Sequence, residues 1–380
     1  MSDIPKIPLD AQELLINQPL PWSVYGPDGE LLLNQGEEIS GERQKYILLT
    51  RGVFREATLQ EARRINDAER TSLASPFHVL DTICQNSHRL LLSMLAGEKA
   101  PDYRVRILKI CKVIQKLCTE NRDAVLGAII LDQKSLYTQI HPILCALLTE
   151  LLLRQKNVPE NSRQKVIAAA LTQNLGMMEL QESLTRQTTD LIEVQKQRIR
   201  EHPTLSREIL QQHGIDDKDW LESVQNHHEK PDGSGYPKGL TQAEISLYAR
   251  VLSLADIYSA MVLPRKYRDG FYVKRALREI FLQRGSSVDK TLAELLIQEI
   301  GMYPPGAFVT LKNGDTAIVI HRGHSQGNQP IVLPVVSAHG EHYSTIQRKQ
   351  AKPETPYAIC QVIPRPDDVR LDLQRIWGLK

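Results

Sequence analysis

No stretch of the chain reaches the roughly 18 consecutive apolar residues that a membrane-spanning helix needs. The nearest, AVLGAIILDQ and HPILCALLTELLL, are short and interrupted. The opening MSDIPKIPLD lacks a basic region followed by an apolar run, so no signal peptide is expected. A soluble cytoplasmic protein without membrane insertion follows as the expectation. Cysteine is scarce and unpaired in pattern: Cys84, Cys111, Cys118, Cys145 and Cys360 are scattered, with no CxxC. That argues against a disulfide scaffold. Four of the five fall in helical-looking segments, where a buried free thiol is the ordinary reading. Charge of one sign is lacking too, with 47 basic and 45 acidic residues and a net charge of +2. Nothing electrostatic calls for DNA or RNA, although a local basic pocket for a small phosphorylated ligand stays open.

What is present is patterned apolar sequence. The 380 residues are 41% hydrophobic, enough for a main domain and one or two small appendages. Residues 1–60 read as a small β-rich domain, with two apolar runs around the turn Gly26-Pro27-Asp28-Gly29. Residues 61–130 read as a connector and a helical segment packed on the core. From Pro76 to Met302, apolar residues recur three and four apart, the spacing of helices that need partners. The polar run from Arg186 to Arg200 reads as one long exposed helix leading to Glu201-His202-Pro203. After Tyr303-Pro304-Pro305-Gly306 the pattern becomes strands, with a turn at Asn313-Gly314, so residues 301–380 read as a small β-barrel-like domain. The fold class expected is mainly α, a helical bundle with small β-rich ends. The C-terminal histidines His321, His324, His339 and His342 fit surface positions better than a metal site, because they fall on mixed strands and turns.

The informative stretch runs from His227 to Arg268. Adjacent imidazoles at His227 and His228 suit borderline transition metals, and Asp256 adds a hard oxygen ligand on a following helix. Between them Gly233 and Gly235 permit unusual backbone angles and Pro237 stiffens the loop, so the chain turns sharply around Tyr236. Each part alone has a bland reading: a surface His pair, a generic turn, an Asp near a helix end. As one unit they do not.

This unit resembles the signature of HD-GYP proteins, a branch of the metal-dependent HD phosphohydrolases. The resemblance extends through Ala255-Asp256, Tyr258, Ala260, Met261, Arg265, Tyr267 and Arg268, and covers residues 131–300. It implies an α-helical domain with a buried dinuclear or trinuclear centre, usually iron or manganese, and hydrolysis of cyclic di-GMP to pGpG or GMP. Carried over position by position, the implied metal ligands are His141, His202, His227, His228 and Asp256. The implied ligand-binding residues are Lys230, Gly235, Tyr236, Pro237, Arg265 and Arg268. Arg265 and Arg268 suit phosphates by bidentate contact, but they equally suit nearby carboxylates such as Asp269. Lys230 faces the ligand or only solvent. Tyr236 shapes the pocket or presents the loop to a partner such as a GGDEF-type signalling protein.

One motif departs. Where the family carries Leu-Leu-His-Asp-Ile-Gly-Lys, this chain reads Leu171-Thr172-Gln173-Asn174-Leu175-Gly176-Met177, and no His-Asp dipeptide occurs anywhere in it. An aspartate bridges two cations and helps generate the attacking hydroxide. Asn174 offers only a neutral amide, Gln173 replaces an imidazole, and Met177 removes an ammonium. Tyr137, one turn before His141, stands where three-metal members have a glutamate. The expectation is one iron or manganese ion or none, and two only if another carboxylate such as Glu179 enters the site. Three functions follow: a degenerate cyclic-di-GMP signalling protein that binds a cyclic dinucleotide or a partner with little or no hydrolysis; an active phosphodiesterase with an altered metal shell; or a scaffold without ligand.

Overall fold

The apolar positions spaced three and four apart between Pro76 and Ile300 do build helices. The computed structural model describes the chain except residues 1–5, 10–12, 27–28, 52, 59–74, 99–101, 133–134, 264–272, 324–328, 344–346, 367–368 and 379–380. It divides into two units, Met1–Ala74 and Ser75–Lys380.

In the first unit, β1 (Lys6–Pro8), β2 (Val24–Tyr25), β3 (Leu31–Leu33) and β4 (Phe54–Glu56) form an antiparallel sheet in the order β1-β4-β2-β3. Helix α1 (Glu42–Arg51) lies between β3 and β4 in sequence. Leu14, Leu20, Val24, Ile39 and Val53 make its small core. The hairpin expected around Gly26 to Gly29 is present as the β2–β3 pair. Its central Pro27 and Asp28 lie outside the described residues.

The second unit is helical at its centre. Helices α2 (Pro76–Leu95), α3 (Tyr103–Glu120) and α4 (Arg122–Leu131) lead into α5 (Tyr137–Gln155) and α6 (Glu160–Thr172). A 3-10 turn (Leu175–Met177) connects to α7 (Met178–Leu184), followed by α8 (Glu193–Gln212) and α9 (Lys218–Asn226). Then come α10 (Leu247–Val262), α11 (Val273–Gln283) and α12 (Lys290–Ile300). α5 is buried from Ile140 to Leu153 without a break. An all-round apolar helix belongs at the centre of a core, and α5 packs against α3, α6, α10 and α12. The segment from Arg186 to Arg200 is not one helix. α7 ends at Leu184 and α8 begins at Glu193, so His202 sits mid-helix rather than after a helix. The β-branched and turn-prone Thr188-Thr189-Asp190 between them gives the backbone no helical preference.

Strands β5 (Phe308–Leu311), β6 (Thr316–His321), β7 (Ile331–Val336), β8 (Lys349–Gln350) and β9 (Ile359–Ile363) form an antiparallel sheet in the order β8-β7-β6-β5-β9. Gly314 takes φ +88° in the expected turn between β5 and β6. Phe308, Ile318, Ile320 and Leu333 join the helical core. The short helix α13 (Leu373–Trp377) delivers Trp377, whose indole donates to Ile320 O at 2.9 Å.

Candidate metal centre

Two polar clusters lie in the helical core. Each has its ligand atoms within 4.8 Å of one another: His202, His227 and His228 in one, His141, Cys145 and Asp256 in the other. The described C-terminal histidines belong to neither. His321 bonds Asp123 at 3.1 Å, while His339 and His342 are exposed.

The imidazole cluster is assembled from two helices and a loop. His202 projects from the middle of α8, and His227 and His228 follow the last turn of α9. His202 donates from Nδ1 to Ile199 O and His227 from Nδ1 to Val224 O, both at 2.6 Å. Those bonds fix the tautomers, and a neutral ring carries one proton. Both Nε2 atoms are therefore lone-pair acceptors, and they face each other at 3.2 Å. Two lone pairs that close repel unless a cation shares them, so the donor set fits one metal ion. Burial lowers the His202 pKa to about 4, and pushes His227 and His228 well below the usual histidine value. All three rings are then neutral at physiological pH, the form that binds metal.

The second cluster differs. His141 and Cys145 stand one turn apart on α5, and Asp256 sits mid-way along α10. His141 Nε2 approaches Asp256 Oδ1 at 3.4 Å, and Cys145 Sγ lies 3.8 and 3.9 Å from the two His141 nitrogens. Gln173 closes the group: its amide donates to Asp256 Oδ1 at 3.0 Å and to Cys145 Sγ at 3.5 Å. Turning the amide over would set its oxygen against a carboxylate, so this orientation is the favourable one. Gln173 Oε1 and the adjacent Asn174 Oδ1 are buried without a hydrogen-bond partner. Tyr137 stacks on His141, with ring centroids 4.9 Å apart. Glu179 is exposed on α7 and the half-buried Met177 is uncharged, so neither supplies a buried charge.

The segment bearing Gln173 and Asn174 is held from two sides. Trp220 on α9 donates from its indole to Thr172 Oγ1 at 2.8 Å. Ser206 on α8 donates to Gln173 O and accepts from Gly176 N, both at 2.8 Å. A Cβ on Gly176 would lie 2.8 Å from His202 O and Ser206 N. Only glycine lets the 3-10 turn touch the helix that carries His202.

The loop after His228 folds back over the cluster. Tyr236 stacks on His228 with centroids 4.7 Å apart, and Tyr236 N donates to His228 O at 3.2 Å. Gly235 passes so near that a Cβ would sit 2.4 Å from Lys230 N. Lys230 is half-buried and Pro237 exposed, and the Tyr236-Pro237 bond is cis. Arg265 and Arg268 lie outside the described residues.

Three residues of this region are not singled out by the sequence. Glu229, 1% exposed, accepts from Lys238 N at 2.6 Å and Leu240 N at 2.9 Å, and so pins the loop. A carboxylate beside a histidine pair at the mouth of a Gly-rich loop was its signal. Cys145 reads as an ordinary buried thiol, yet its i+4 spacing from His141 puts it on the same helix face. Trp220 carries no local signal, because its partner is 48 residues away.

The HD-domain family matches residues 124–292. A cyclic di-GMP phosphodiesterase of Pseudomonas aeruginosa is 28% identical over 200 residues, covering 53% of this chain and 48% of that protein. A 3'3'-cGAMP-specific phosphodiesterase of Vibrio cholerae is 28% identical over 216 residues, 55% of this chain and 46% of that one. The chain thus spans about half the length of the curated relatives it matches. In fold it is similar to a solved HDG"Y"P protein of Bdellovibrio bacteriovorus, with a TM-score of 0.51 and 14% identity, over 77% of this chain and 98% of that one. No helix among the described residues is long and apolar enough to cross a membrane. With the helical core, the clustered imidazoles and the replaced His-Asp pair, the match over residues 124–292 places this helical domain in the HD-domain phosphohydrolase superfamily, as a divergent relative of the HD-GYP proteins.

Proposed function

We propose that this chain binds a cyclic dinucleotide, cyclic di-GMP or 3'3'-cGAMP, in a signalling role and hydrolyses it poorly or not at all. The observation that carries this reading is the Gln173 amide donating to Asp256 at 3.0 Å, where the family places an imidazole and a metal. Beside it Asn174 supplies no negative charge to bridge two cations.

His202, His227 and His228 would hold one iron or manganese ion. Such an ion, when bound, polarises a phosphoryl oxygen and acidifies a bound water. The chain's own part is mostly positional. Tyr236, stacked on His228, offers a ring at the edge of the site, and Lys230 offers a cation to a phosphate. Gly235 and Pro237 shape the rim, and Arg265 and Arg268, carried over from the family signature, are of the residue type that suits phosphates. The exposed side of the same loop suits a GGDEF-type signalling partner.

Calorimetry with cyclic di-GMP and with 3'3'-cGAMP, paired with chromatography of the nucleotide afterwards, tests this. Saturable binding with the cyclic nucleotide intact is expected, weakened at least about tenfold by Tyr236→Ala, the loss of one base-stacking surface. Stoichiometric linear product would favour an active phosphodiesterase with an altered metal shell, a reading supported by the retained His141 and Asp256. No binding of either nucleotide would leave the scaffold reading.

A further inference from the structure

Along one face of α2, Phe77, Leu80, Cys84 and His88 recur three and four apart and line a cavity of about 710 Å³. Ile140 of α5 and Leu371, from the segment before α13, form other walls. A space of that size suits a small organic ligand. None of the donors of the metal centre lines it.

The polar part of this lining calls for a hydrogen-bond donor. His88 Nδ1 is buried without a hydrogen-bond partner. Burial lowers the pKa of the ring, so it is neutral at physiological pH, and its single proton goes to the Thr138 main chain. Nδ1 is then a lone-pair acceptor at the cavity wall, and an orphaned acceptor is costly until a donor meets it. Charge gives the donor a sign. Burial, then the negative field of Asp81 and Asp132, pushes the Cys84 thiol up to about 12, and all three residues line the cavity. Of the two arginines there, Arg365 donates to the main-chain oxygens of Leu131 and Val369, both at 3.1 Å, and Arg89 donates to Asn86 Oδ1 at 2.9 Å. A cation with an apolar body therefore matches the lining better than an anion.

We propose that this cavity binds a small amphipathic amine, whose apolar body rests on Phe77, Leu80, Ile140 and Leu371 and whose ammonium donates to His88 Nδ1 in the field of Asp81 and Asp132. Binding there requires neither a metal ion nor a cyclic dinucleotide. Ile140 precedes His141 on α5, so an occupant packs on the helical turn that carries a donor of the metal centre.

The test is calorimetry of the full chain with phenethylamine, phenethyl alcohol and phenylpropionate, which share one apolar body and differ in the charge of the head group. Saturable binding of the amine is expected, tighter than that of the carboxylate by at least about tenfold and weakened as much by His88→Leu, the loss of one hydrogen bond to a charged group. Leu371→Trp, which fills the cavity from a half-buried position, should abolish it. The proposal is overturned if the folded parent chain does not bind the amine, or binds the alcohol or the carboxylate as tightly. Amine binding left unchanged in a folded His88→Leu or Leu371→Trp variant overturns it too. The three head groups decide the matter in the parent chain even if neither variant folds.

Discussion

The two halves of the centre are built on neighbouring helices and are buried except for the partly exposed His228, yet their internal bonding is opposite. In the imidazole half, both Nδ1 protons go to main-chain carbonyls and two bare Nε2 atoms are left 3.2 Å apart. Among the described residues no other group donates to them. In the other half, Gln173 donates to Asp256 and to Cys145, so the protein itself fills the space between the donors. The comparison teaches that a degenerate site need not decay evenly. Substituting the His-Asp pair altered one half and left the tautomer-setting bonds of the other intact.

Breaking the unchanged half should have the largest effect. His227→Ala removes one of the two facing lone pairs, and elemental analysis of anaerobically purified protein should show iron or manganese binding weakened by more than about 100-fold. Rebuilding the altered half tests the opposite direction. Gln173→His with Asn174→Asp should restore a bridged pair of ions and raise linear-product formation by about 100-fold, near 2.7 kcal/mol of barrier. No gain would mean that Cys145 and Met177 also block hydrolysis.

Smaller effects should come from the parts that hold the halves in register. Gly176→Ala drives a methyl against the backbone at His202 and Ser206, an overpacking cost of about 1–3 kcal/mol. A melting curve should fall, and metal affinity with it, since α8 carries His202. Glu229→Ala strands two backbone donors, at about 2 kcal/mol. Protease nicking between Lys230 and Leu240 would reveal the loosened loop, while an unchanged digest would show that Glu229 does not pin it. Trp220→Phe removes the bond to Thr172 and leaves a small cavity where the larger indole stood, together about 1–2 kcal/mol. The melting temperature should drop by a few degrees with metal content unchanged.

The sequence by itself determined the helical class, through spacing of apolar residues, and pointed to His227, His228 and Asp256, through a motif local enough to read in one pass. His227, His228 and the Gly-rich loop lie within ten residues of one another, and local chemistry of that kind survives in the linear text. The Asn313-Gly314 turn was legible for the same reason. The tertiary structure alone decided what the substitutions mean. Gln173 meets Asp256 across 83 residues and Cys145 across 28, so its donation to both is visible only once α5, α6 and α10 are packed. The polar run from Arg186 to Arg200 reads as a helix leading up to His202, yet His202 stands within α8, because tertiary packing of α8 against the 3-10 turn outweighs the local breaker Pro203. Whether a polar group is satisfied is a property of its neighbours in space, and the two halves of this centre differ in nothing else as much.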